Sequence, residues 1–483
     1  PLKFSGAAMR YFVLALAACA FSGAAYAQQS PTPAPLATQP APAPQTAPIP
    51  ENLQRNIDRL QAAALESDLA WEIVEGLVTD IGPRMAGSEA EAAARDWAVA
   101  RLRALGFQNV RIEPFTIPFW QAVREEAHII SPGARPMVAA ALGGSPSADV
   151  TAEIVRFTSM AALEAAPESA VRGRIVFIDE LMARNQDGSG YGPAVRKRGQ
   201  CAPVAQAKGA VGCVIRSVGT DPHRFAHQGG ASRQAAGVSL PAMAISPADA
   251  DVLQRLSARG PVRLRLQIEA EARDNAPSGN VIAEIRGRER PDEIVLLAAH
   301  LDSWDHGQGA VDDGAGVAII TAAARLIRDL PQRPRRTIRI LLAGAEENGL
   351  HGAIAYAAAH HDVNHIVASE SDFGAGRIWR FRTNFSEAAL PYARAYQRAL
   401  APLLIAPGDN SAGPGPDLIP LRARTNVPLV ELSQDGSDYF DLHHTPDDTL
   451  DKIDPAALRQ NVAAWATFAY LAAETDWVYR AAD

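Results

Sequence analysis

Apolar positions recur at helical spacing from residue 51 to 78. Leu53, Ile57, Leu60 and Ala64 are followed by Leu69, Ile73 and Leu77. Steps of three and four residues put these side chains on one stripe, which predicts a helical segment. Ile81-Gly82-Pro83-Arg84 breaks the pattern. Ser88 with Glu91 three residues on has the form of a capping box, so a second helix is expected from there to about Leu105, ended by Gly106. Strand-like stretches follow at 110–114 and 126–130.

The texture changes near Pro132. Short strand signals at 154–157, 173–178, 211–215, 238–245 and 262–268 alternate with Gly- and Ser-rich turns. Few polar residues of catalytic type cluster there. Residues 135–272 therefore read as a separate, β-rich inserted domain without evident chemistry. From Ser278 the rhythm becomes strand–loop–helix. Residues 294–299 form a continuous apolar run, as expected for a strand covered on both faces. Strands are also predicted at 337–343, 365–368 and 427–432, with helices at 314–330, 350–359 and 455–473. This alternation predicts an α/β fold: a mostly parallel mixed sheet with helices on both faces. The chemistry-bearing domain is expected in two parts, 51–134 and 273–483, around the insert.

The first fifty residues do not read as fold. Met9 is taken as the start, Arg10 as a positive n-region, residues 11–20 as an apolar run and Ala25-Tyr26-Ala27 as a cleavage site. Residues 1–27 are thus a signal peptide with upstream residues. Leu16-Ala17-Ala18-Cys19 also has the pattern of a lipoprotein processing site, a minor alternative. Residues 28–50 hold eight prolines and no charge, a Pro-rich linker. No other stretch approaches the roughly 20 apolar residues a membrane span requires. The mature chain is expected to be exported, periplasmic or extracellular.

The 483 residues allow two to four domains, and the formal net charge of −8 argues against nucleic acid as a partner. Three cysteines cannot build a disulfide framework. Cys201 and Cys213 can either pair or remain small buried thiols.

Candidate chemistry collects at the strand ends, where open α/β sheets place it. The run to Ala299 ends in His300-Leu301-Asp302. Asp312-Asp313 precede the next helix. The strand to Ala343 leads to Glu346-Glu347, and the strand to Ala368 to Glu370-Ser371-Asp372. The strand to Leu432 leads to Asp438-Tyr439 and then His443-His444. Carboxylates gathered this way repel one another unless a cation offsets them. Mixed imidazole and carboxylate ligands suit zinc, and so many carboxylates favour two ions sharing one bridging carboxylate.

Together with Ser303-Trp304, Gly309-Ala310-Val311, Gly314 and Thr445-Pro446-Asp447-Asp448-Thr449, these motifs resemble the dizinc exopeptidases of the bacterial aminopeptidase and glutamate carboxypeptidase group. The likeness is strongest to the plasma glutamate carboxypeptidase branch, and it runs from about Ala70 to the C-terminus. It implies two Zn2+ per chain, with His300 and Asp372 on one ion, Glu347 and His444 on the other, and Asp312 bridging. It implies Glu346 as general base. Asp302 would hydrogen-bond the far nitrogen of His300. Tyr439 is a weaker candidate for steadying the oxyanion. The insert would be a protease-associated domain, and the substrate a short peptide, with homodimer contacts or lid segments completing the pocket. Asp313 and His443 are the rival ligands, Asp313 being wanted as a helix cap. His306, His351, His360, His361 and His365 carry no motif role. The alternatives are a single-zinc acyltransferase like the glutaminyl cyclases, and a receptor-like module without catalysis.

Overall fold

The computed structural model of the chain describes residues 45–230 and 237–480. The expected signal peptide, the Cys19 pattern and most of the linker lie outside these residues. The residues from Gln45 onward form one compact unit. The last linker residues are docked: the Ala47 N–H donates to the Pro391 carbonyl at 3.0 Å, and Arg398 donates to the Ala47 carbonyl at 3.2 Å. No helix among the described residues is long and apolar enough to cross a membrane.

The predicted N-terminal helical stripe is two helices, Glu51–Glu66 and Leu69–Asp80, with Leu53, Ile57, Leu60, Ala64, Ile73 and Leu77 all buried. The break falls at Ser67, whose hydroxyl accepts the Leu69 N–H at 3.2 Å. The third helix, Glu89–Ala104, starts as its cap predicts, the Ser88 hydroxyl accepting the Glu91 N–H at 3.1 Å. Glu91 reaches back one residue further than in a standard box, to the Gly87 N–H at 3.0 Å.

Fourteen strands follow in the described residues. They are β1 (Gln108–Ser131), β2 (Arg135–Met137), β3 (Ala139–Ala141), β4 (Ala148–Phe157), β5 (Ile175–Ile178), β6 (Gly212–Arg216), β7 (Ala242–Ile245), β8 (Arg263–Ile285), β9 (Arg290–His300), β10 (Arg336–Ala343), β11 (Asn364–Glu370), β12 (Ile378–Asn384), β13 (Ala406–Pro407) and β14 (Leu429–Gln434). The sheet is mixed. Its order is β13-β12-β14-β11-β9-β10-β8-β4-β5-β6-β7-β3, with β1 paired to β8 and β2 to β1. The run β14-β11-β9-β10 is parallel, and β12 and β8 flank it antiparallel.

β9 explains the continuous apolar run. Val295, Leu297 and Ala299 enter one core, with Val317 and Ile320 of the helix Ala315–Arg328 and Trp465 of the helix Pro455–Glu474. Leu296 and Ala298 enter a second core, with Tyr356 of the helix His351–His360 and Leu421 of the helix Ile419–Thr425. Both faces are therefore dry, and alternation disappears.

Two expectations are corrected. The strand signals at 110–114 and 126–130 are parts of one strand, β1, paired antiparallel to β8 from Gln108↔Glu284 to Ser131↔Arg263. The expected boundary at 272/273 accordingly falls inside β8. Residues 135–272 are not simply β-rich, because they carry the helices Tyr191–Ala207 and Pro247–Ser257. The first buries Ala194, Cys201, Ala202 and Ala205 together with Lys197. A stripe of small residues interrupted by a lysine is invisible to a search for large apolar periodicity. Cys201 and Cys213 are joined as a disulfide, Cα atoms 6.3 Å apart, which ties that helix to β6.

A buried polar chain stiffens the β11 side. His365 Nδ1 donates to the Val363 carbonyl at 3.1 Å, so its Nε2 accepts the Tyr356 hydroxyl at 2.8 Å. Burial pushes the imidazole down to about 3, with Arg339 adding to the effect. In the unfolded chain a histidine titrates near about 6.5. Between these values the unfolded chain binds a proton that the folded chain does not. Stability therefore falls as pH drops below about 6.5, approaching about 1.4 kcal/mol per pH unit. A His365→Phe variant is expected to flatten this acid limb. Urea unfolding at pH 7 and pH 4.5 should show a smaller difference for the variant than for the parent.

Candidate active site

The parallel strands bring the predicted residues to one sheet edge. His300 closes β9, Asp312 and Asp313 precede the helix Ala315–Arg328, Glu346 and Glu347 follow β10, and Asp372 follows β11. Tyr439, His443 and His444 follow β14. Asp312, Glu346, Glu347, Asp372, Tyr439, His443 and His444 line a cavity of about 690 Å³. His300 is buried against two of these residues, Asp312 and Asp372.

Asp312 sits between two imidazoles. Its Oδ1 lies 3.0 Å from His300 Nε2, and its Oδ2 lies 3.2 Å from His444 Nε2. His300 Nε2 is also 3.4 Å from Asp372 Oδ1, and His444 Nε2 is 3.0 Å from Glu347 Oε2. The rival residues take different places. Asp313 accepts the Gly316 N–H at 3.1 Å, the capping contact expected of it, and the His300 N–H at 3.1 Å. His443 stacks on His444 with ring centroids 3.5 Å apart, its Nε2 at 3.6 Å from Asp312 Oδ2.

Asp302 departs from expectation. His300 Nδ1 faces the main-chain carbonyl of Asp302 at 3.0 Å, whereas the nearest carboxylate contact is 3.9 Å. The carboxylate instead accepts the N–H groups of Glu346 at 3.0 Å and Glu347 at 3.2 Å. One residue thus sets a histidine with its backbone and the Glu pair with its side chain.

Charge is strongly perturbed. Burial alone would push the His300 imidazole down, but Asp372 and Asp312 hold it well above its ordinary value. Burial would raise Asp312, but the hydrogen bond from His300 and the neighbouring His444 imidazole hold it well below the usual carboxylate range. His444 is pushed up to about 9, Glu347 and Asp312 outweighing its burial. Glu346 is held well above an ordinary glutamate by burial, with Glu347 and Asp372 adding and His300 opposing.

The donor set fits divalent cations. Three groups of ligand atoms lie within 4.8 Å of one another: Asp312 with His443 and His444, His300 with Glu346 and Glu347, and His300 with Asp313 and Asp372. Asp312 Oδ2, Glu347 Oε1 and His443 Nδ1 are buried without a hydrogen-bond partner. Buried orphans of this kind are uncommon unless an ion or water completes them.

Several contributors were not legible in the motifs. Arg84, read only as part of a helix break, is fully buried and donates to the carbonyls of Leu301, Gln308 and Gly309, the last two at 2.8 Å. Gly309 has φ +62°, and a Cβ there would run into Ser303 and Arg84. Asp448 accepts the N–H groups of Val311 at 2.6 Å and Asp312 at 3.3 Å. His351, given no role, lines the cavity. Residues 135–272, expected to lack chemistry, supply Tyr191, Arg198 and Gly230 to the wall.

Residues 280–469 match the model of peptidase family M28. Carboxypeptidase Q from Bos taurus is 32% identical over 431 residues, 88% of this chain and 89% of the relative. The chain belongs to peptidase family M28. Carboxypeptidase Q from Homo sapiens is 33% identical over 84% of this chain and 86% of the relative. Among solved structures, an M28 peptidase precursor from Shewanella amazonensis SB2B has TM-score 0.87 and 46% identity, covering 89% of this chain and 99% of that one. The zinc aminopeptidase BSAP from Bacillus subtilis has TM-score 0.63 and 20% identity over 85% of this chain and 95% of that one, a likeness of fold. As an M28 member with carboxypeptidase Q relatives, the chain is a metallopeptidase. The resemblance seen in the motifs and the family agree.

Arg84→Met tests the loop clamp. It strips donors from several buried carbonyls, and each loss costs about 1–3 kcal/mol. A fall in stability of about 3 kcal/mol or more is expected in chemical denaturation.

Proposed function

We propose that this M28 member is an exported exopeptidase that holds two Zn2+ and hydrolyses dipeptides or terminal residues of short peptides. One observation carries the reading: the two carboxylate oxygens of Asp312 face different histidines, His300 and His444, on the floor of a cavity that also holds Glu346. A bridging carboxylate between two ions would have this form. His300 and Asp372 would hold one ion, and Glu347 and His444 the other. Export follows from the signal-like N-terminus, and residues 135–272 are read as an inserted protease-associated domain.

Zinc held by these residues would make a water a better nucleophile and polarise the scissile carbonyl. The chain's own residues do the rest. Glu346 takes the proton of the attacking water and returns it to the leaving amine, so that water and amide become acid and amine. The Asp302 carboxylate, accepting the N–H groups of Glu346 and Glu347, fixes where their side chains start. Tyr439 lines the same cavity beside Phe373, ring centroids 4.7 Å apart, and its hydroxyl would donate to the oxyanion.

Glu346→Gln is expected to keep both metals while lowering kcat by about 10²–10⁴ on unblocked dipeptides. Normal turnover would remove the general-base role. Asp312→Ala is expected to lose metal on dialysis, read by elemental analysis, and full retention of two ions would remove the bridge. A stoichiometry near one metal, with cyclisation of N-terminal Gln, would transfer the reading to an acyltransferase.

A further inference from the structure

His444 does not stand on its own loop alone. Its main-chain carbonyl accepts the Gln228 N–H at 2.9 Å, and its Nδ1 faces the Gln228 carbonyl at 3.1 Å. Gln228 belongs to the insert and is 2% exposed. Its side chain is clasped in turn by the loop after β9. The amide nitrogen donates to Asp305 Oδ1 at 2.8 Å, and the amide oxygen accepts the His306 N–H at 3.1 Å. The preceding residue repeats the arrangement. His227 lies with Nδ1 at 2.7 Å from the His443 carbonyl and Nε2 at 2.7 Å from Asp221 Oδ1. Two consecutive insert residues thus hold the main chain of two consecutive histidines.

The Nδ1 contact decides which nitrogen of His444 is available. An imidazole that offers the lone pair of Nε2 to a cation keeps its proton on Nδ1, and that proton needs an acceptor. The Gln228 carbonyl supplies it. Arg198 Nη1, 3.2 Å from His444 Nδ1, then donates to the same carbonyl at 3.4 Å, and a carbonyl has lone pairs for both. With Nδ1 so occupied, Nε2 is aimed at Asp312 Oδ2 and Glu347 Oε2.

We propose that Gln228 is a positioning residue for His444, so that the inserted region takes part in retaining the metal. This rests on the reading of His444 as a zinc ligand. The side chain acts by anchoring the carbonyl: without the amide's two bonds to the 305–306 loop, the peptide that holds Nδ1 is free to shift.

The test is competition of the full chain with a chromophoric chelator for Zn2+, alongside thermal melting of the metal-free chain. Gln228→Ala is expected to weaken one of two zinc-binding steps about 10–100-fold, leave the other, and keep the metal-free melting temperature near the parent's. Gln186→Ala removes another bond between insert and β14 loop, to Asp435 at 3.0 Å, that does not touch His444, and should leave both steps unchanged. Should Gln228→Ala fail to fold, Asp305→Asn loosens the same bracket from the other side and should weaken the same step several-fold. Parental zinc affinity in Gln228→Ala or Asp305→Asn, while His444→Ala loses one ion, overturns the positioning role alone. Retention of both ions in His444→Ala overturns the ligand reading, and this proposal with it.

Discussion

Mutual repulsion among buried carboxylates is the constraint that the rest of the structure answers. Asp302, Asp312, Asp313 and Asp448 are buried at one sheet edge, and Glu346, Glu347 and Asp372 lie half-buried beside them. Burial disfavours every one of these charges, and proximity adds to the penalty. The protein meets this with fixed partners of opposite sign or dipole. Two histidines bracket Asp312, main-chain N–H groups meet Asp302, Asp313 and Asp448, and Arg84 lies below them. What these partners leave unmet sits where the ligand atoms converge, at Asp312 Oδ2 and Glu347 Oε1.

The fold supplies the geometry for this. Parallel strands end at one level, so residues scattered from His300 to His444 arrive together without any needing a long reach. Their dryness on both faces keeps those ends in place. β9 makes the point, because its alternate residues enter two different cores and cannot tilt without disturbing both.

The catalytic sheet was readable because its strands are continuous apolar runs followed at once by acidic or imidazole residues. The insert was less so. Its helix Tyr191–Ala207 packs through alanines and a cystine, which carry weak periodicity, and its contribution to the cavity comes from residues without a motif. Arg84 and Gln228 were illegible for another reason. The first gains its meaning from carbonyls more than two hundred residues away, the second from a main-chain atom. Asp302 shows the limit of spacing itself: the motif named the residue, but only in the folded chain does its carbonyl turn to the imidazole while its carboxylate serves the glutamates.

The 23-residue strand β8 has a mechanical consequence. Its C-terminal end pairs with β10 in the catalytic sheet, its N-terminal end pairs with β4 in the insert, and β1 runs beside it nearly throughout. One continuous strand thus joins the two parts of the sheet. The ribbon it forms with β1 is not uniform: its register shifts between Ile117 and Phe119 and between Ala122 and Arg124, and Asn275 within β8 takes φ +61°. The continuity of β8 also means that residues 135–272 are no detachable module, since excising them would sever a strand on which the catalytic sheet is built.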